Sequence, residues 1–156
     1  MTGFRRGVRL GIDVGKARVG VARCDRDGLL AVPVETVPRD DGTTRRIVEL
    51  ASEYDAFELL VGLPISLSGG ETASTADARL VAGQLAAASG LPVRLVDERL
   101  STVSAHAALR DSGRSQRSSR KLVDQVAAVV LLQQAIDVEK STGIPAGALH
   151  DPPEPV

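Results

Sequence analysis

The chain has 156 residues, of which 43% are hydrophobic and 25% charged, the composition of one ordinary globular domain. Its net charge of −1 excludes a generally basic coat protein for nucleic acid, and no apolar run approaches the ~20 residues of a membrane-spanning helix. The start of the chain lacks the long apolar core of a signal peptide, so we expect a cytoplasmic protein with no membrane partner.

The first quarter of the chain predicts three strands in an antiparallel meander. Residues 8–15 alternate apolar residues with polar ones or glycine, which is the period of a strand. Gly15 permits a turn into a second strand over residues 18–24, and a third strand is expected around residues 29–37.

The remaining sequence predicts helices that alternate with buried strands. Strands are expected over residues 57–64 and 91–96, and helices over residues 43–54, 72–89, from Ser101 or Thr102 to near Gly113, and 122–140. This order predicts an α/β fold with a mixed five-stranded sheet: three antiparallel meander strands plus two parallel strands, with helices on both faces. We assign residues 1–140 to a single domain and predict a proline-rich, disordered tail over residues 141–156.

Two acidic residues occupy positions that suggest a ligand role. Asp13 shares a strand face with Gly11, which leaves open space beside the carboxylate, although capping of the following turn explains this residue equally well. Asp124 lies on the apolar face of its helix, where an ionised carboxylate costs several kcal/mol unless a positive group meets it. A salt bridge to Arg120 or Lys121 is the alternative for Asp124.

The segment VDERLST, residues 96–102, places Asp97 and Glu98 directly after a predicted strand. Adjacent side chains of a strand point to opposite faces of the sheet. Only one of Asp97 and Glu98 can therefore point to the expected site beside Asp13, and the residues alone do not say which one. Carboxylates that converge repel one another, and a divalent cation removes that conflict. With one cysteine and two histidines in the chain, oxygen ligands predict Mg²⁺ or Mn²⁺, the ions of two-metal phosphodiester hydrolysis.

Positive charge is concentrated in residues 110–121, which hold five basic residues against Asp111 alone. We predict that this segment contacts nucleic acid, although a solvated charged surface is the usual alternative. Only three residues are aromatic, so recognition of backbone and shape is expected rather than base stacking. In GLPISLSGG, Ser66 could help to hold a phosphate, or Gly69 and Gly70 could simply close a loop.

Four stretches together resemble the YqgF/RuvX family: GIDVGKARVGVA (11–22), VGLPISLSG (61–69), VDERLST (96–102) and KLVDQVAAVVLLQ (121–133). The resemblance implies a ribonuclease H-like fold and metal-binding acidic roles for Asp13, Glu98 and Asp124. It also implies nuclease activity on structured nucleic acid, with maturation of the 5′ end of pre-16S rRNA as the leading assignment and Holliday-junction cleavage as the competing one. The family's usual Lys-Arg pair is altered, since Lys16 stands one place early and Ala17 takes its position, while Arg18 is retained.

The sequence therefore predicts Asp13, Glu98 and Asp124 as catalytic and metal-binding residues of an endonuclease that acts on structured RNA or branched DNA. The predicted nucleic-acid-binding residues are Lys16, Arg18, Ser66, Arg99, Arg114, Arg117, Arg120 and Lys121. Two alternatives are a non-catalytic ribosome-assembly factor and an actin-like ATPase or sugar kinase, which would need two such domains. Cys24 is either a small core residue or a redox-sensitive link between two copies in a homodimer.

Overall fold

The computed structural model describes residues 3–98 and 116–150, with the side chains of residues 116–124 left out of the description. The elements in chain order are β1 (Val8–Val14), β2 (Arg18–Cys24), β3 (Ala31–Pro38), α1 (Thr43–Glu53), β4 (Ala56–Leu63), α2 (Ala73–Ser89), β5 (Val93–Asp97), α3 (Gln116–Thr142) and β6 (Ala148–Leu149). The helix predicted between Ser101 and Gly113 lies outside the described residues.

One mixed sheet organises the domain, with the strand order β3-β2-β1-β4-β5-β6. The meander of β1, β2 and β3 is antiparallel, whereas β1, β4 and β5 run parallel to one another, as the strand and helix order predicts. The prediction of a mixed α/β fold is therefore confirmed. The predicted count of five strands is one too few, because β6 adds an antiparallel edge strand to β5.

The sixth strand comes from the segment that the sequence predicts to be a disordered tail. Its residues Ala148 and Leu149 pair with β5, and the backbone N–H of His150 donates to the carbonyl of Val93 at 2.7 Å. A two-residue strand is too short to show a periodicity, and its backbone hydrogen bonds depend on an edge that the local sequence does not reveal. The disorder prediction is therefore wrong for residues 141–150, while residues 151–156 lie outside the described part.

The two faces of the sheet are covered by different helices. Leu10 and Ile12 of β1 point towards α1 and α2, and they belong to the larger hydrophobic core. The α3 helix packs on the opposite face, where the odd-numbered residues of β1 lie. A Cβ added to Gly11 would meet the Cβ of Leu132 at 2.8 Å and the carbonyl oxygen of Ala128 at 2.9 Å. Glycine at this position therefore allows α3 to lie directly on β1.

Cys24 lies in the core between α3 and the sheet. Its side chain is fully buried, and its sulfur accepts a hydrogen bond from the backbone N–H of Arg9 at 3.3 Å. This environment supports the interpretation as a small core residue, since a link to a second copy would require β2 to open. Within the described ranges, no helix is long and apolar enough to cross a membrane.

Candidate active site

The carboxyl ends of the three parallel strands meet at one edge of the sheet. Asp13 is the penultimate residue of β1. Glu98 directly follows β5, and the backbone N–H of Glu98 lies 3.4 Å from the carbonyl oxygen of Leu63 in β4. The carboxyl groups of Asp13 and Glu98 are in hydrogen-bonding contact with each other. Two acidic residues that are 85 positions apart in the sequence therefore meet, as the strand order predicts.

Within the acidic pair, Glu98 is the residue whose carboxyl is in hydrogen-bonding contact with Asp13. Asp97 is exposed at the end of β5, whereas the Glu98 side chain extends across Gly62 of β4 on the α3 face of the sheet. A Cβ on Gly62 would collide with the Glu98 carboxylate and would lie 3.2 Å from Cδ2 of Leu131. The absence of a side chain at position 62 therefore creates the space that Glu98 occupies.

The electrostatic environment of Glu98 disfavours its ionised form. Burial raises the pKa of the Glu98 carboxyl, the hydrogen bond with Asp13 lowers it, and the negative charge of Asp97 raises it again, with a net rise. Two carboxyl groups in hydrogen-bonding contact need either a shared proton or a cation between them. The donor set consists of hard oxygen atoms that carry excess negative charge, so the residues present fit Mg²⁺ or Mn²⁺.

The backbone of α3 brings residue 124 to the same level of the sheet. Position 124 lies one turn before Ala128, whose carbonyl oxygen approaches Gly11. The next residue, Gln125, donates from Nε2 to Oγ1 of Thr36 at 2.8 Å. Thr36 pairs with Gly20, and Gly20 pairs with Asp13, so these residues form one row across the sheet. The Asp124 side chain itself is outside the description, and no group of three metal-ligating side chains occurs among those that were described.

The predicted nucleic-acid-binding residues are distributed unevenly. Lys16 is exposed in the turn after Asp13, and Arg18 begins β2. The Ser66 hydroxyl accepts a hydrogen bond from the backbone N–H of Gly70 at 3.0 Å and lies 2.9 Å from the Ser68 hydroxyl, so it closes its own loop. The remaining predicted residues lie either outside the described chain or in the part of α3 without described side chains: Arg99, Arg114, Arg117, Arg120 and Lys121.

Sequence reasoning missed Arg39, which supports the turn that follows Asp13. Its Nη1 donates to the carbonyl of Gly15 at 2.8 Å and to Asp77 of α2 at 2.9 Å, while its backbone N–H donates to the carbonyl of Ala17 at 3.0 Å. The hydrogen bonds with Asp77 raise the pKa of Arg39 and lower that of Asp77. No local pattern announces this role, because it depends on how β3 and α2 pack beside the turn.

Comparisons with known proteins agree with this architecture. A family model described as "RuvX: Holliday junction resolvase" matches residues 7–138. A relative from Clavibacter michiganensis subsp. michiganensis is 58% identical over 149 residues, covering 94% of this chain and 92% of the relative, and bears the name "Putative pre-16S rRNA nuclease". A relative from Leifsonia xyli subsp. xyli with the same name is 55% identical over 151 residues, covering 96% and 97%. The structure titled "T. thermophilus RuvC in complex with Holliday junction substrate" has a TM-score of 0.54 and 19% identity, over 89% of this chain and 99% of that one.

The sheet order and the helix packing are those of the ribonuclease H-like fold, which RuvC shares. Fold, acidic edge and family together define a hydrolase of the nuclease class. The chain belongs to the RuvX family, since the family model covers most of its length and the relatives match nearly end to end. The family resemblance inferred from the four sequence stretches is confirmed.

Proposed function

We propose that this protein is a divalent-metal-dependent endonuclease in which Asp13, Glu98 and Asp124 hold Mg²⁺ or Mn²⁺. The observation that carries the proposal is the contact between the Asp13 and Glu98 carboxyl groups at the carboxyl edge of the parallel strands. Such an arrangement of like charges costs stability unless a cation joins it, and conflicts of this kind cluster at functional sites.

Each of the three residues has a distinct structural role in this proposal. Asp13 lies on the central strand β1, which is hydrogen-bonded to a strand on each side. The backbone of Asp13 is therefore held rigidly. Glu98 is half-buried over Gly62, on the face of the sheet where Leu131 packs, so its charge is partly shielded from water. Asp124 approaches from α3, one turn before the contact of Ala128 with Gly11. When bound, the divalent ions would supply an activated water and stabilise the leaving 3′-oxygen.

The substrate that we propose is a structured nucleic acid recognised through its backbone, with the 5′ end of pre-16S rRNA as the leading candidate. The aromatic rings are already engaged by cations: Phe4 and Phe57 lie 4.4 and 4.7 Å from the Arg9 guanidinium, and Tyr54 lies 4.9 Å from that of Arg23. Base stacking on these rings is therefore disfavoured. The exposed Lys16 beside Asp13 and the basic residues 110–121 instead favour phosphate contacts.

The test is cleavage of a ribosomal RNA precursor and of a four-way DNA junction, side by side, with and without Mg²⁺. We expect Asp13→Asn and Asp124→Asn to reduce cleavage at least about a hundredfold, since loss of even an outer partner of a metal site costs 10–100-fold. Asp27→Asn is the matched control, because Asp27 is exposed in the turn between β2 and β3 at the opposite edge of the sheet and pairs with Arg6. Full Mg²⁺-dependent cleavage by either site variant would refute the mechanism.

Cleavage of a four-way DNA junction is the second candidate, because the matching family model is described as a Holliday junction resolvase. Preference for the junction over the RNA precursor, with paired symmetric cuts, would replace the rRNA assignment and favour a dimer that acts on both strands. Binding without cleavage of either substrate, independent of Mg²⁺, would instead identify a non-catalytic assembly factor.

A further inference from the structure

A buried ionic contact joins β1 to α3 at the edge of the sheet opposite Asp13. Arg9 is 1% exposed and Glu139 is 3% exposed, and Nη2 of Arg9 donates to Oε2 of Glu139 at 2.9 Å. The guanidinium of Arg9 lies 4.4 Å from the centre of the Phe4 ring and 4.7 Å from the centre of the Phe57 ring. The second carboxylate oxygen of Glu139 accepts a hydrogen bond from Arg5 at 2.8 Å. The Glu139 side chain is thus held at both oxygens, and it fixes one end of α3 on the sheet.

The same two elements each carry one of the proposed metal ligands. Asp13 follows Arg9 by four residues in β1, and Asp124 precedes Glu139 by fifteen residues in α3. Because α3 is one continuous helix, any axial displacement at Glu139 moves residue 124 by the same distance along β1. The position of Asp124 relative to Asp13 therefore depends on the register between β1 and α3.

Apolar packing gives this register part of its definition, because the sizes of the buried residues change along α3. The buried stripe holds two alanines, then two leucines, then an alanine and an isoleucine: Ala127, Ala128, Leu131, Leu132, Ala135 and Ile136. A slide of one turn, about 5.4 Å, would exchange small apolar residues for larger ones at these contacts. It would also place Ala135 or Ile136 opposite Arg9 and leave a buried guanidinium without its carboxylate, which is strongly unfavourable. A single buried polar contact sets register in the same way in coiled coils.

We propose that Arg9 and Glu139 are positioning residues of the nuclease site, which set the register of α3 on β1 and thereby hold Asp124 level with Asp13. This inference rests on the proposed function, in which the two carboxylates share metal ions. Mg²⁺ binds its oxygen ligands at about 2.0–2.1 Å in near-ideal geometry, so a ligand displaced by a helical turn no longer reaches the ion.

The test replaces the ion pair with the apolar pair Arg9→Met and Glu139→Leu, which leaves the net charge unchanged. Spin labels on Ser74→Cys at the start of α2 and Ser141→Cys at the end of α3, in a Cys24→Ala background, report the axial position of α3. We expect one label distance with the native pair and an additional distance, changed by about one helical turn, with the apolar pair. Mn²⁺ affinity, measured from the signal of free Mn²⁺, should fall about tenfold or more.

The matched control is Glu35→Gln with Arg46→Met, which removes an ion pair of 2.7 Å between β3 and α1 on the other face of the sheet. Label distance and Mn²⁺ affinity should not change in this control. A folded Arg9→Met, Glu139→Leu protein with one native distance and unchanged Mn²⁺ affinity would overturn the proposal.

Two further outcomes keep the test decisive. If the apolar pair does not fold, Glu139→Gln retains the shape and one acceptor, and the same two changes are expected in smaller degree; native values of both in that variant would overturn the proposal. If the native protein binds no Mn²⁺, the proposed function fails, and the label distances alone then decide whether Arg9 and Glu139 set the register.

Discussion

On the sheet face that α3 covers, the charged side chains at the two ends of β1 are arranged in opposite ways. At the amino end of β1, Glu139 meets Arg9 and Arg5, and the buried Glu58 meets Arg5 and Arg94 at 2.9 Å each. At the carboxyl end, the Asp13 carboxyl meets the carboxyl of Glu98. The first edge satisfies its charges with opposite charges, whereas the second brings like charges together. Proteins retain such a local conflict where function requires it, and this contrast separates the structural edge from the proposed catalytic one.

The largest effect is expected when one partner of the buried ion pair at the amino end of β1 is removed. Glu139→Leu alone should destabilise the protein by about 3–5 kcal/mol, because it leaves the Arg9 guanidinium buried without a carboxylate. The double change Arg9→Met and Glu139→Leu removes the stranded charge and should cost clearly less. Chemical denaturation of the three proteins measures both differences. A single variant no less stable than the double one would show that the contact does not act as a buried ion pair.

Substitutions of two glycines on the sheet face that α3 covers, Gly11 and Gly62, should have effects of intermediate size. Gly11→Ala forces its Cβ against the backbone carbonyl of Ala128 and the Cβ of Leu132, neither of which can yield without moving α3. We expect a loss of about 1–3 kcal/mol of stability. Gly62→Ala forces its Cβ against the end of the flexible Glu98 side chain, which can swing aside. Its stability cost should stay below about 1 kcal/mol, the usual range for a change without a rigid clash.

Of these two variants, Gly11→Ala should lose more stability, whereas Gly62→Ala should lose cleavage activity because it acts on Glu98. Displacement of the Glu98 carboxylate by Gly62→Ala should reduce cleavage about a hundredfold, because a misplacement of about 1 Å at a reacting centre has that effect. Parallel denaturation and cleavage assays decide the matter. A Gly62→Ala protein that is strongly destabilised but fully active would mean that Glu98 supports the fold and not the chemistry.

The strand and the helix that carry Asp13 and position 124 are predicted from local signals. Alternation in residues 8–14 assigns Asp13 and Gly11 to one face of β1, and Gly11 lies on the face that α3 covers. The spacing of Asp124, Ala127, Ala128 and Leu131 predicts that position 124 shares a helix face with these three apolar residues. The choice between Asp97 and Glu98 is not local. It requires β5 to lie beside β4, so that the space above Gly62 is available to Glu98. Only the family resemblance indicated Glu98 in advance.

The features that the sequence did not predict all depend on distant partners. Arg9 and Glu139 are 130 positions apart, and each reads as an ordinary charged residue in its own segment. The β6 strand has two residues and exists because the edge of β5 offers it backbone partners. Arg39 reaches the turn after Asp13 through the packing of β3 against α2. Periodicity carries no information about such pairings, which follow from the assembled sheet.

The smallest effect, and the most specific one, concerns the pH dependence of stability without divalent ions. The pKa of Glu98 is raised by burial, so the folded protein binds its proton more tightly than the unfolded chain does. Stability therefore falls as the pH rises from the unfolded value of about 4.3 through the raised folded pKa. Glu98→Gln does not bear this cost and should melt at a higher temperature than the native protein at pH 7–8, with an advantage that disappears towards pH 4.

The ion pair of Asp77 with Arg39 supplies the control of opposite sign. Arg39 holds the pKa of Asp77 below its usual range, so the stability that this pair contributes is present above the unfolded pKa and is lost as the pH falls through the folded pKa. Asp77→Asn should therefore lower the melting temperature at pH 7–8, and its deficit should shrink in acid. Added Mg²⁺ should stabilise the native protein more than Glu98→Gln, since only a ligand-bearing folded state gains from the ion. If Glu98→Gln is less stable than the native protein at neutral pH without Mg²⁺, the prediction is wrong. The negative charges of Asp13 and Glu98 would then already be neutralised by basic side chains of the protein.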